Sequence, residues 1–244
     1  MRSKIFIVIT VLVVLCVILL TIADNQSDAN SDKMDLFRQS FSYKDKKPGG
    51  CYAAFNSLQH LYNGESLKVI TKPFTRTYEK NDYLNRGEGS LYILVANKLY
   101  ASSKDIQDML SFVSAGNQLF IAVNEPDSLL NERLSLEVKL DRDQVLSIPF
   151  CEQHYVNPYL GPDTVFSRKG IYEGRHFSAM DTSNTTILST TRRNRPNFVR
   201  VNYGKGNVFM LLNPSSLTNY FLLHGNNIVS LERQAAYTYN TPSG

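Results

Sequence analysis

The chain has 244 residues, 43% of them hydrophobic and 20% charged. That is enough apolar material for a core and argues against global disorder. Setting aside Arg2 and Lys4, which precede a long apolar run, leaves 24 basic against 22 acidic residues, a balance that excludes the basic footprint of a nucleic-acid binder.

Residues 5–23 read IFIVITVLVVLCVILLTIA, with no charge, Gly or Pro. A helix of that length spans roughly 28 Å, close to the ~30 Å hydrocarbon core of a bilayer. Arg2 and Lys4 stand before it, and Asp24, Asp28 and Asp32 follow. The positive-inside rule therefore predicts an N-terminus in the cytoplasm, a single pass through the inner membrane, and the remainder in the periplasm. Thr21-Ile22-Ala23 could serve as a cleavage site, but the run exceeds the ~7–15 apolar residues of a signal peptide. Residues 1–23 are thus expected to form a stub and a retained anchor whose partner is the lipid bilayer. Residues 24–34, rich in Asn, Asp and Ser, read as a polar tether, and residues 35–240 as one extracytoplasmic domain.

Within that domain Leu36, Phe37, Phe41 and Tyr43 suggest a first strand. Pro48-Gly49-Gly50 opens a helix in which Cys51, Ala54, Phe55, Leu58, Leu61 and Tyr62 recur at three- and four-residue spacing, and Asn63-Gly64 ends it. A strand is expected over residues 67–74 and a short helix over residues 78–86. The continuous apolar runs 91–95 and 119–123 read as strands buried on both faces. Between them Ser102 or Ser103 caps a helix whose face is Ile106, Met109, Leu110 and Val113; Ala115-Gly116-Asn117 stops it. Residues 124–190 blur into short candidate strands at 134–140, 145–150 and 186–189, read as a β-rich insertion. Residues 198–203 and 207–212, joined by Gly204-Lys205-Gly206, predict a hairpin. Pro214-Ser215-Ser216 opens a last helical region to about Ala236. Alternation of apolar strands with helices predicts an α/β domain with an open, doubly wound parallel sheet.

In such a sheet ligands sit beyond the carboxyl ends of the strands. The candidate ligand-binding residues there are Lys47, Gly49, Gly50, Asn97, Asn124 and Glu125, with His176 reaching over from the insertion; Asn213 ends the last strand. Gly49 and Gly50 at a helix start could offer N–H groups to an anion, or Pro48 could simply start the helix. No catalytic residue is assigned. The turns after residues 95 and 123 offer Asn, Lys and Glu, with neither Ser nor Cys as nucleophile, and the histidines His60, His154, His176 and His224 are scattered. Cys151 and His154 have the spacing of half a metal site, but no second pair completes it, so neither a metal nor a cofactor is expected. Arg192, Arg193 and Arg195 with Arg200 read as a solvated basic loop, or as a contact for an acidic partner. Cys51 and Cys151 are either bridged or buried thiols, and the apolar helix face of Cys51 favours thiols.

Several of these segments together resemble a known family. They are Ser42-Tyr43 through Lys47-Pro48 and Gly50 with a helix behind; the strand 91–95 followed by residues 112–122 (FVSAGNQLFIA); and Phe198-Val199-Arg200-Val201 with Gly204-Lys205-Gly206, Pro214 and Leu217-Thr218-Asn219-Tyr220. The resemblance is to domain of unknown function 4350 in its Bacteroidetes form, and it covers roughly residues 36–236. It implies a flavodoxin-like or class I glutamine-amidotransferase-like fold without the catalytic Cys. It also implies gene neighbours such as MoxR-type ATPases, hence a membrane or envelope protein partner. Gly49 departs from the family, which often has an aromatic there. Many members also continue into a second transmembrane helix that this sequence does not contain. The expected function is a non-catalytic domain acting in binding or assembly of an envelope complex. The alternatives are a hydrolase or transferase using the strand-end crevice, or an accessory subunit of a transport or motility apparatus.

Overall fold

The computed structural model describes residues 38–62, 67–86, 89–141, 150–156, 165–170 and 174–239. The chain divides into two units, Met1–Arg38 and Gln39–Gly244, and the architecture below is that of the second. No helix among the described residues is long and apolar enough to cross a membrane. The run 5–23 and the tether lie outside the described residues.

In chain order the elements are α1 (Tyr52–Leu61), α2 (Phe74–Tyr78), a 3-10 turn (Asp82–Asn85), β1 (Leu91–Lys98), α3 (Ser103–Ser114), β2 (Gln118–Glu125), α4 (Ser128–Arg133) and β3 (Leu136–Leu140). There follow β4 (Phe150–Tyr155), β5 (Val165–Lys169), β6 (Arg175–Met180), β7 (Thr185–Thr190), β8 (Pro196–Tyr203), β9 (Gly206–Leu211), a 3-10 turn (Pro214–Leu217), α5 (Asn219–Leu222) and α6 (Ile228–Tyr239). One sheet has seven strands in the order β1-β2-β9-β8-β7-β4-β5, and β3 and β6 form a separate antiparallel pair.

This sheet overturns the expected doubly wound parallel fold of flavodoxin or glutamine-amidotransferase type. Only β1, β2 and β9 run parallel. From β9 onward every pairing is antiparallel, and the mixed sheet curls as a half-barrel. The apolar runs misled because full burial of a strand does not report its direction. Parallel pairing needs a helical crossover, and only α3, between β1 and β2, is a short crossover of that kind. β4, β5 and β7, read as an insertion, extend the main sheet beyond β8.

Both faces are nonetheless covered. On β9, Val208 and Met210 join one core with Phe112, Val113, Leu119 and Ile121, while Phe209 and Leu211 join the other with Phe120, Phe198, Phe221 and Leu231. The period-two alternation sends every second side chain to the opposite core. α2 and α3 cover the first face, and α1, α5 and α6 the second. β1 is an edge strand and only half-buried, although its alternate side chains pack on both cores, Tyr92, Leu94 and Ala96 on the first and Leu91, Ile93 and Val95 on the second.

Several local expectations hold. Ser102 caps α3 through a full capping box with Asp105. Burial pushes the Asp105 carboxyl up, but hydrogen bonds from Ser102 and Thr75 outweigh it and hold the group down at about 2. β8 and β9 form the hairpin closed by Gly204-Lys205-Gly206, with Gly204 at φ 61°. Lys205 is exposed at its tip. We expect Lys205→Ala to move unfolding stability by no more than ~0.5 kcal/mol, the usual size for an exposed surface change, measured by urea denaturation.

Other local expectations fail. Residues 38–50 form turns instead of a strand, with Phe41 at φ 50°. Residues 67–73 are irregular instead of a strand, and Phe74, expected to end it, is buried at the start of α2. The final helical region is broken into a 3-10 turn and two helices, with Gly225 at φ 53° between them.

Candidate functional site

The sheet directions bring one set of ends together. The carboxyl ends of β1, β2 and β9, the start of β4, the end of β5 and the β7–β8 turn all lie on one side. This is where the expected strand-end residues fall, and the side chains there are mostly committed to one another.

Asn97 and Asn124 face each other across β1 and β2, the Nδ2 of Asn124 donating to Oδ1 of Asn97 at 2.8 Å. Glu125 is not a lone carboxylate. Arg175 donates to its Oε1 at 2.9 Å, and Lys98 lies 3.5 Å from its Oε2. Neither His176 nor Cys151 hydrogen-bonds to it. The segment expected to bring His176 over the crevice forms the antiparallel strand pair β3–β6 and brings Arg175 instead, because neighbours on a strand point to opposite faces.

Lys47, Gly49 and Gly50 sit in a compact loop, not at a strand end, and α1 starts beyond them with Cys51 as its N-cap. The loop's polar groups turn inward. The side chain of Asn219 donates to the carbonyls of Asp45 and Lys47 at 2.9 and 2.7 Å, and its Oδ1 accepts from Ala53 N–H at 2.8 Å. The backbone N–H groups of Asn219 and Tyr220 donate to the carbonyls of Gly50 and Pro48. A Cβ on Gly50 would stand 2.0 Å from the Asp45 carbonyl oxygen, so Gly50 is required by close backbone approach. Gly50 therefore serves the clamp on Asn219, while the Gly49 carbonyl accepts from the N–H groups of Ser40 and Phe41.

The basic loop has its own counter-charge. Arg195 lies 2.9 Å and Arg193 3.4 Å from the carboxylate of Asp141, whose side chain is 6% exposed. Arg192 stacks over the Phe150 ring at 5.8 Å. His176 stands beside this cluster. Burial, then the Arg195 guanidinium, push its imidazole below the ordinary histidine value, with Lys139 adding and Asp141 opposing. Its Nδ1 is buried with no hydrogen-bond partner among the described residues. A depressed folded-state value means that the unfolded chain binds the proton more readily. The contribution to stability is then complete above the unfolded value of ~6.5 and is lost as pH falls toward the lower folded value. We expect the urea midpoint to drop on acidification from pH ~6.5 to ~5, and His176→Gln to flatten that drop. An equally steep drop in the variant would assign it to other groups.

Cys51 and Cys151 are both buried thiols, with no bridge between them. Burial, then the Asp45 charge, push the Cys51 thiol up to about 12, so it is no nucleophile at neutral pH. On β4, Cys151 points into the core while Glu152 and His154 hydrogen-bond to each other on the opposite face. A strand places residues three apart on opposite sides, which dissolves the apparent half metal site. Asp141, Arg175 and Asn219 were missed in the sequence. Their partners lie 50 to 174 residues away, and no local spacing signals such contacts.

Among solved structures the chain is similar to the mmIFT52 N-terminal domain, with a TM-score of 0.55 and 12% identity over 78% of this chain and 91% of that one. That likeness is one of fold alone. It also matches the exo-beta-1,4-mannosidase Op5Man5 from Opitutaceae bacterium strain TAV5, with a TM-score of 0.39 and 17% identity over 62% of this chain and 24% of the enzyme. A β-galactosidase from Bacillus circulans sp. alkalophilus gives a TM-score of 0.36 and 13% identity over 69% and 29%. Neither glycosidase likeness is strong enough to carry a functional argument. No curated protein matches the chain. The family model of the domain of unknown function DUF4350 matches residues 43–233, and with most of its length so matched the chain belongs to the DUF4350 family.

Proposed function

We propose that this chain is a membrane-tethered periplasmic domain that acts by binding within a cell-envelope assembly, with no chemistry of its own. The observation that carries this reading is the commitment of the strand-end side chains. Glu125 is held by Arg175 and Lys98, Asn124 by Asn97, and the glycine loop by Asn219. Acyl transfer would need a nucleophile beside a base and donors aimed at the developing oxyanion, and these residues supply neither. The apolar run 5–23 supplies the tether, and the charges flanking it the orientation.

The test is affinity purification of the tagged full chain from detergent-solubilised membranes, followed by mass spectrometry. A stoichiometric envelope protein that survives stringent washing supports the reading. An alkaline phosphatase fusion after Lys33 should be active, and inactivity would reverse the orientation. Substrate turnover by the purified chain that disappears in Glu125→Gln, with the fold intact, would replace this reading by a hydrolase or transferase.

A further inference from the structure

The curled half of the sheet carries a polar grouping that the strand-end contacts above do not use. Arg168 on β5 is the register partner of Cys151 on β4. Residues directly opposite in an antiparallel pair share a face, with Cβ atoms about 5 Å apart. Asn213, just past β9, donates its Nδ2 to the same Cys151 sulfur at 2.8 Å. Arg168 and Asn213 therefore flank one buried thiol, although Arg168 lies on the edge strand β5 and Asn213 follows the inner strand β9.

Both residues keep polar atoms without partners. The Nε of Arg168 is buried and meets no acceptor among the described residues. Its guanidinium has two contacts: Nη1 lies 2.6 Å from His224 Nδ1, and the group stacks 4.2 Å from the Tyr220 ring centroid. Neither contact is an acid. Asn213 is 2% exposed, and its Oδ1 has no donor among the described residues. Either orientation of that amide leaves one polar atom unmet, and a buried polar group without a partner is costly enough to be rare.

We propose that Arg168 and Asn213, set by Tyr220 and His224, form a binding site for a carboxylate-bearing molecule. His224 occupies Nη1, which leaves the Nε–Nη2 edge of the guanidinium. That edge presents two parallel N–H bonds, the fork that matches a carboxylate in bidentate fashion. Stacking on Tyr220 holds the plane of the fork. Gly170 guards the ring in turn, since a Cβ there would lie 3.1 Å from the Tyr220 hydroxyl. Asn213 Oδ1 then accepts an N–H or O–H from the ligand, so the class is a carboxylic acid with a donor close to the carboxyl group. A free N-acyl amino acid and the carboxyl terminus of a peptide share that chemistry.

The test uses the full chain in detergent micelles, with N-acetylalanine, a short peptide ending in free Ala, its C-terminally amidated form, and inorganic phosphate as probes. Binding is read by calorimetry. Saturable binding of the free acid or the free-ended peptide, weakened about tenfold or more by Arg168→Lys with the melting temperature retained, supports the site. The Lys variant keeps the charge and loses the fork. Preference for N-acetylalanine identifies a small-molecule source, and preference for the peptide a protein terminus. Binding of the amidated peptide or of phosphate as tightly as the free carboxylates overturns the proposal, as does no saturable binding at all. Should the variant unfold, phenylglyoxal modification of the wild-type chain decides. Arg168 should be protected by the carboxylate probe, and an unchanged modification rate rejects the site. The assembly reading stands or falls separately, on co-purification.

Discussion

Gly206→Ala is expected to cost the domain at least about 3 kcal/mol of folding stability, at the upper end of overpacking penalties. A Cβ at this position would stand 2.0 Å from the Asn117 carbonyl oxygen and 2.4 Å from that of Val113. Both are backbone atoms at the end of α3, so no side chain can swing aside. The approach is fixed from both sides. Lys205 N–H donates to the Ser114 carbonyl at 3.2 Å, and Asn117 is wholly buried, its side chain bonding the carbonyls of Leu84 and Phe112. Making room means prising the β8–β9 turn from the helix end, in the middle of the sheet. Urea denaturation of variant and wild type gives the comparison. A loss under ~1 kcal/mol would show that the contact yields easily.

Asn219→Ala should be nearly as severe, at about 3 kcal/mol. Truncation removes three hydrogen bonds, to the carbonyls of Asp45 and Lys47 and from the N–H of Ala53 in the first turn of α1, each worth about 1 kcal/mol. The residue is 5% exposed, so water is poorly placed to take over. The damage has an address as well as a size. Amide exchange should accelerate in residues 45–55 well before it does in β2 or β9, because local opening follows the weakest contacts. Uniform acceleration across the domain would show that the clamp is not a local unit.

What was legible in the sequence was local. The capping box at Ser102, the apolar stripe of α3, the burial of β2 and the β8–β9 hairpin each depend on residues a few positions apart, where spacing maps directly onto helix or strand geometry. Family membership was legible for a similar reason, since it rests on short blocks in a fixed order. The tertiary structure decided everything that depends on pairing across the chain. Strand direction was one such matter: an apolar run buried on both faces looks the same whether its neighbours run parallel or antiparallel, and only the ladders showed β4, β5 and β7 joining the main sheet. The state of the candidate site was another. Glu125 is paired with an arginine 50 residues further on, and the glycine loop is fastened by Asn219, contacts that residue type and spacing do not announce. Arg168 and Asn213 lie 45 residues apart in the chain, and only the curl of the sheet sets both against Cys151. Residue type and local spacing are properties of the sequence, whereas a partner's distance and a buried atom's lack of one exist only once the chain has folded.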